Sequence, residues 1–264
     1  MRIVILGGGQ GGPSRGASDR GITALGCADG GWVLVNVSAS VARQLAQGRL
    51  ADSHPELAHA SVRAVVLTDA QLEHVGGLLA LRDGGAIELY ATPAVFEDLT
   101  TTLPVLPVLQ HYCGVHWHVV PVAGDTRAAS FRVEGLPTLE FTALATQMPA
   151  PPHSAHHLQP LVGDSIALAV RDLVTGQRVF CAPGLTRIGA HEFDWMREAD
   201  CLLVDGPQEA AARLSDDPDW MELLSELPAR HKVLVGNADA AVTSDATLAA
   251  RGIALAYDGM EIEL

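Results

Sequence analysis

Val65-Val66-Leu67-Thr68-Asp69-Ala70-Gln71-Leu72-Glu73-His74-Val75-Gly76-Gly77-Leu78 is the stretch on which the reading of this chain turns. An apolar strand runs into a short polar loop, and a Gly-Gly pair marks the start of a helix. Carboxylates and an imidazole at the end of a strand can serve acid–base chemistry or hold a metal. Asp69, Glu73 and His74 are therefore catalytic candidates, and Glu73 with His74 offers one carboxylate and one imidazole to a metal. A third ligand has to come from elsewhere. The proline-rich loop Met148–Pro160 carries His153, His156 and His157. His153, His156 or His157 would complete a two-histidine, one-carboxylate set suited to one Fe(II). The competing reading is that His74 only hydrogen-bonds within its own loop and that the loop histidines face solvent.

Outward from this segment, short apolar runs of strand type alternate with helical patterns. Strands are expected at Arg2–Leu6, Ile22–Ala28, Gly31–Asn36, Ala64–Leu67, Ile87–Ala91, His116–Val122, Ala129–Val133 and Leu139–Leu144. Five more follow at Ser165–Asp172, Arg178–Ala182, Cys201–Asp205, Lys232–Val235 and Ile253–Ala256. Turns such as Asp83-Gly84-Gly85 and Thr175-Gly176 separate them. Helices are expected at Ser40–Gln47, capped by Ser38 or Ser40, and at Ala94–Thr102 behind Thr92-Pro93. Ile188–Glu198, Trp220–Leu227 and Ser244–Arg251 complete the set. Strand pairs dominate the first half and strand–helix–strand units the second, which disfavours a doubly wound sheet. The expected fold is α/β, an αββα sandwich of two mixed β-sheets flanked by helices, formed by residues 1–264 as a single domain.

Composition narrows the function. Formal net charge is −14 with no Lys/Arg cluster, which argues against a nucleic-acid partner. No apolar run reaches the roughly 18 residues of a membrane span, and no secretory signal is visible, so the chain reads as cytoplasmic without membrane insertion. Cys27, Cys113, Cys181 and Cys201 lie far apart and read as reduced, mostly buried thiols. His116 and His118 share a strand face and could chelate a metal, but read as flanking Trp117 on a half-exposed strand. Asp205 closes an apolar strand; catalysis and capping of the Gly206-Pro207 turn fit it equally. Asp164 reads as holding a turn ahead of acid–base work. Gly7, Gly9 and Gly12 satisfy G-x-G-x-x-G with Asp29 downstream, but Pro13–Gly21 lacks helical periodicity, so a dinucleotide loop is the weaker reading.

Several blocks carry a resemblance. Thr68-Asp69-Ala70-Gln71 with Glu73-His74, Trp32–Asn36, Ala91–Thr101, Phe141–Leu144, Pro151–Ser154, Gly163–Leu168, Phe180–Leu185, Asp200–Gly206 and Tyr257–Leu264 occur in order along nearly the whole chain. Together they resemble the PqqB family (coenzyme PQQ synthesis protein B), on a metallo-β-lactamase-like fold. Hydrolases of that fold carry H-x-H-x-D-H at this junction, whereas PqqB members carry T-D-A-Q-x-D-H. Departures accompany the likeness. Gly12–Gly16 replaces the family's cysteine-rich zinc loop, so a structural zinc is expected to be absent. Gly236 replaces a distal metal histidine, and the stretch between Pro207 and Trp220 lacks a G-H-L-P segment.

The resemblance implies a protein of pyrroloquinoline quinone (PQQ) biosynthesis. As an enzyme it would be a non-heme iron hydroxylase of a PQQ precursor, with one Fe(II); a part in transport of PQQ or its precursor is also implied. The alternative is a catalytically inactive pseudoenzyme that binds a pathway peptide or partner protein. Expected partners are a small-molecule or peptide-derived precursor and a pathway protein or second copy of the chain.

Overall fold

The computed structural model describes residues 1–7, 21–27, 30–58, 61–185, 188–205, 220–235 and 245–264. Gly9, Gly12, the Gly12–Gly16 replacement, Asp29, the Gly206-Pro207 turn and Gly236 lie outside the described residues. Two seven-stranded sheets form the body. The first contains β1 (Arg2–Gly7), β2 (Ile22–Gly26), β3 (Trp32–Val35), β4 (Val62–Val66), β5 (Ile87–Ala91), β6 (Val115–Val119) and β14 (Met260–Glu263), in the order β14-β1-β2-β3-β4-β5-β6. The second contains β7 (Ala128–Phe131), β8 (Leu139–Ala145), β9 (Ile166–Asp172), β10 (Arg178–Ala182), β11 (Cys201–Val204), β12 (His231–Leu234) and β13 (Ala254–Leu255). Its order is β13-β12-β11-β10-β9-β8-β7.

Both sheets follow one plan. Strands pair antiparallel from β14 to β3 and from β7 to β10. They pair parallel from β3 to β6 and from β10 to β13. Parallel neighbours cannot be joined by tight turns, so their crossovers place helices on the outer faces. These are α1 (Ala39–Ala46), α2 (Arg49–Ser53), α3 (Leu72–Val75), α4 (Pro93–Thr100) and α5 (Val105–Leu109) on the first sheet. On the second they are α6 (Ala190–Arg197), Trp220–Glu226 and Asp245–Ala250. The expected αββα sandwich is thus the observed one.

Three apolar layers hold it together: one between the sheets, one under the helices of each sheet. Some of the aromatic residues bridge layers. His118, Tyr90, Phe131 and Phe141 form a run of stacked rings, with centroids 4.4, 5.7 and 5.4 Å apart, that crosses from the first sheet to the second. Phe96 stacks on Trp117 at 3.7 Å and ties α4 to β6. Helix starts follow their caps. Ser38, not Ser40, accepts the Val41 N–H, and Thr92 accepts the Val95 N–H, each at 3.3 Å. Cys27, Cys181 and Cys201 are buried between the sheets and Cys113 is half-buried; all four are free. Burial raises the Cys201 thiol to about 12 and pushes Cys181 up as well.

His116 and His118 flank Trp117 on the half-exposed edge strand β6. Both donate to the Glu88 carboxylate on β5, at 2.7 and 2.6 Å. The hydrogen bond from His118 leads the causes that hold Glu88 below the usual glutamate range. A depressed carboxylate pKa contributes stability that is present above the unfolded value and lost as pH falls through the folded one. The Glu88 side-chain carbon is expected to titrate below the exposed glutamates of the same protein in an NMR pH series. Titration at the ordinary value of about 4.3 would refute this.

Among the described residues no helix is long and apolar enough to cross a membrane.

Candidate functional site

The candidate site lies where the ends of the two sheets meet. Strand β3 is buried along its whole length and ends at Asn36, whose φ of 62° takes it out of the strand and turns its amide toward the next loop. Asn36 Oδ1 accepts the Thr68 N–H at 2.9 Å, and its Nδ2 donates to Thr68 Oγ1 at 2.9 Å. The loop after β4 is thereby fixed from behind. From the other sheet, Asp69 bridges Ser165, and the Ile166 N–H donates to Thr68 O at 2.8 Å.

This scaffold presents Asp69, which is 1% exposed, to His74, which is 7% exposed. His74 Nδ1–H donates to both Asp69 oxygens, at 2.7 and 2.8 Å. The same carboxylate accepts the Gln71 N–H and the Thr68 hydroxyl, each at 2.9 Å. Burial alone would push Asp69 up, but the charge and hydrogen bond of His74 outweigh it and hold the carboxyl below its usual range. For His74 burial pushes down, and the Asp69 charge, joined by Asp205 and Glu73, lifts it above the usual histidine value.

Helix α3 carries His74 and is pinned to the end of β3. Val37 N–H donates to His74 O at 2.7 Å, and Gly77 N–H returns to Val37 O at 2.9 Å. Gly77 is required for this approach, because a Cβ there would stand 2.3 Å from Ser38 O. Gly21 has a similar constraint. A Cβ on it would stand 2.6 Å from Pro183 Cβ and 3.0 Å from His74 Nε2. His74 Nε2 thus faces the seam between Gly21 of the first sheet and Pro183 of the second. Asp205, directly after β11, accepts the Gly184 N–H of the turn beside Pro183.

The residues named from sequence are not all brought together. Asp69, His74 and Asp205 belong to one neighbourhood. Glu73 is exposed on α3, close enough for its charge to act on His74. His156 lies 3.4 Å from Asp164 and 3.9 Å from Glu97, and His157 Nδ1–H donates to Ala150 O at 2.9 Å. His153 Nε2 is buried with no hydrogen-bond partner among the described residues. Asp164 holds its own loop, as its turn reading expects, by accepting the Leu161 N–H at 2.5 Å. Among the described residues Glu73, His74, His153 and His156 do not bring three ligand atoms within 4.8 Å; His54, Glu56 and Glu261 do. Asn36 escaped sequence reasoning as a site residue, although an amide closing a fully apolar strand is a signal worth reading.

A carboxylate that fixes Nδ1 leaves Nε2 as the reactive nitrogen, the usual arrangement of a metal-bound or proton-transferring imidazole. Residues 31–236 match the family model described as Beta-lactamase superfamily domain. Coenzyme PQQ synthesis protein B from Methylobacillus flagellatus is 37% identical over 263 residues, covering 90% of this chain and 85% of that protein. The chain belongs to the PqqB family. The PqqB protein of Cupriavidus necator is 38% identical, covering 88% of this chain and 83% of its own. The crystal structure of Zn(2+)-bound PqqB from Methylobacterium extorquens covers 100% of both chains with a TM-score of 0.74 at 21% identity. That likeness supports the PqqB fold seen here.

Proposed function

We propose that the protein works in PQQ biosynthesis and modifies a peptide-derived PQQ precursor in the seam between the two sheets. The observation that carries this reading is the Asp69–His74 pair, which presents His74 Nε2 to the Gly21–Pro183 seam beside Asp205 in a chain of the PqqB family.

An imidazole beside a carboxylate is part of the two-histidine, one-carboxylate set that holds Fe(II). Nδ1 is committed to Asp69, so Nε2 is the donor, and Asp205 and Glu73 are the carboxylates whose charge already acts on His74. We assign His74 Nε2 and the Asp205 carboxylate to a bound iron; among the described residues Glu73, His153 and His156 do not stand within 4.8 Å as a third ligand, so one of them would have to shift to complete the set. Bound iron would supply oxygen activation for a hydroxylation. The chain's own residues supply the rest. Asp69 keeps the imidazole oriented, Asn36 and Thr68 keep Asp69 in place, and Gly21 and Pro183 narrow the approach. No nucleic-acid partner is expected of a chain with net charge −14.

A second reading, a pseudoenzyme that binds a precursor or pathway protein, is favoured by the exposure of Glu73 and the separate partners of His156 and His157. One experiment separates the two. Protein reconstituted anaerobically with Fe(II) and then given O2 and a reductant is expected to turn over PQQ-type precursors, and His74→Ala and Asp205→Asn are each expected to lower the rate at least a hundredfold. Equal turnover in His74→Ala would sink the assignment. Precursor binding without turnover in the wild type would establish the second reading.

A further inference from the structure

Outside the seam, three ligating side chains from two distant parts of the chain converge on the outer face of the first sheet. His54 ends α2, Glu56 follows Pro55, and Glu261 lies on β14 opposite Val4. One ligand atom from each falls within 4.8 Å of the others. We propose that His54, Glu56 and Glu261 form a metal site for a zinc-class divalent cation, which staples the edge strand β14 to the segment after α2.

The chemistry selects the class. One imidazole nitrogen and two carboxylate oxygens suit Zn(II), whereas Mg(II) and Ca(II) favour all-oxygen shells. His54 is buried, so its ring is already held, and Glu56 is half-buried. Gly259 has φ +83°, and a Cβ there would stand 3.3 Å from His54 Nε2. Nδ1 is the nitrogen that faces Glu261 and is the donor. Nδ1 now lies 2.9 Å from Glu261 Oε1, so an ion would replace that hydrogen bond with coordination.

Arg2 pairs with Glu56 Oε1 at 2.7 Å and so partly neutralises the two carboxylates. Its guanidinium also lies 5.6 Å from the Trp32 ring, which keeps a favourable place for it when an ion takes Glu56. An open depression of about 420 Å³, lined by Arg2, Val4, Glu261 and Glu263 among others, reaches the site on its Glu261 side. A net charge of −14 raises the local concentration of cations.

His54 and Glu261 are 207 residues apart in sequence, so the site exists only in the folded chain and its occupancy must stabilise the fold. The trio shares no residue with the seam at His74, and the two sites are separable by mutation.

Full-length protein stripped with a chelator is titrated with Zn(II) by calorimetry, with metal content and thermal midpoint read in parallel. A high-affinity equivalent of zinc is expected to persist in His74→Ala and to raise the midpoint. Glu261→Gln, an exposed change that keeps an oxygen to accept from His54 Nδ1, is expected to weaken that equivalent at least tenfold and abolish the midpoint shift, as is His54→Ala. Zinc affinity and midpoint shift in Glu261→Gln equal to wild type would overturn the proposal. So would a wild-type zinc equivalent lost only in His74→Ala.

Discussion

Asp69→Ala is expected to lower the free energy of unfolding by about 3–5 kcal/mol, the usual result of removing one partner of a buried ion pair. The variant leaves three donors facing a void: the His74 imidazole, the Gln71 N–H and the Thr68 hydroxyl. The stabilisation is pH-dependent in a known direction. His74 has a raised pKa in the folded protein, so its contribution is fully present below the unfolded value of about 6.5 and fades as pH rises through the folded value. Without Asp69, burial is less strongly opposed and a charged His74 becomes costly. The deficit should therefore be larger at pH 5.5 than at pH 8.5. Urea unfolding at both values measures it, and a loss under about 1 kcal/mol at the lower pH would show that water replaces the carboxylate. Combination with His74→Ala should recover part of the loss, because the two residues share one interaction.

Phe141→Ala is expected to cost a similar about 3–5 kcal/mol, by a different route. Phe141 is fully buried on β8 and ends the ring stack that starts at His118 and crosses the sandwich through Tyr90 and Phe131. Truncation removes a large apolar surface and leaves a cavity bounded by sheet backbone. Paired strands on both sides, with Phe131 and Val170 in register, limit how far the walls can collapse. Chemical denaturation should show a lower midpoint with an unchanged slope. A loss below about 1.5 kcal/mol would mean that the sheets close over the gap.

The strands were largely legible because each is a short apolar run between turn residues, and Ile87–Ala91 and Arg178–Ala182 match to the residue. Thr92-Pro93 announced α4 for a chemical reason, a hydroxyl acceptor followed by a residue without an N–H. Helices α2 and α5 were not read, since five residues are too few to display a 3.6-residue period. Strand β14 was missed as well. Its Met-Glu-Ile-Glu pattern alternates, but the run is short and its partner β1 stands at the other end of the sequence.

The site divides in the same way. Asp69 and His74 stand out as residue types in a loop, yet the grip of one on the other spans the loop into α3 and depends on Asn36, far upstream. Sequence could nominate His153, His156 and His157 as ligands, but not foresee that Asp164 and Ala150 engage two of them. The His54–Glu56–Glu261 convergence was invisible for a similar reason, because pairing of the first strand with the last creates it.

The placement of the cysteines turns the molecule into its own reporter of breathing. Cys27 follows β2 of the first sheet, whereas Cys181 and Cys201 belong to β10 and β11 of the second. All three thiols face the layer that the sheets share. A sequestered thiol can be alkylated only while its cover is away. Each half of the sandwich therefore keeps a separate clock, and a lag between Cys27 and the other two would measure how independently the halves come apart.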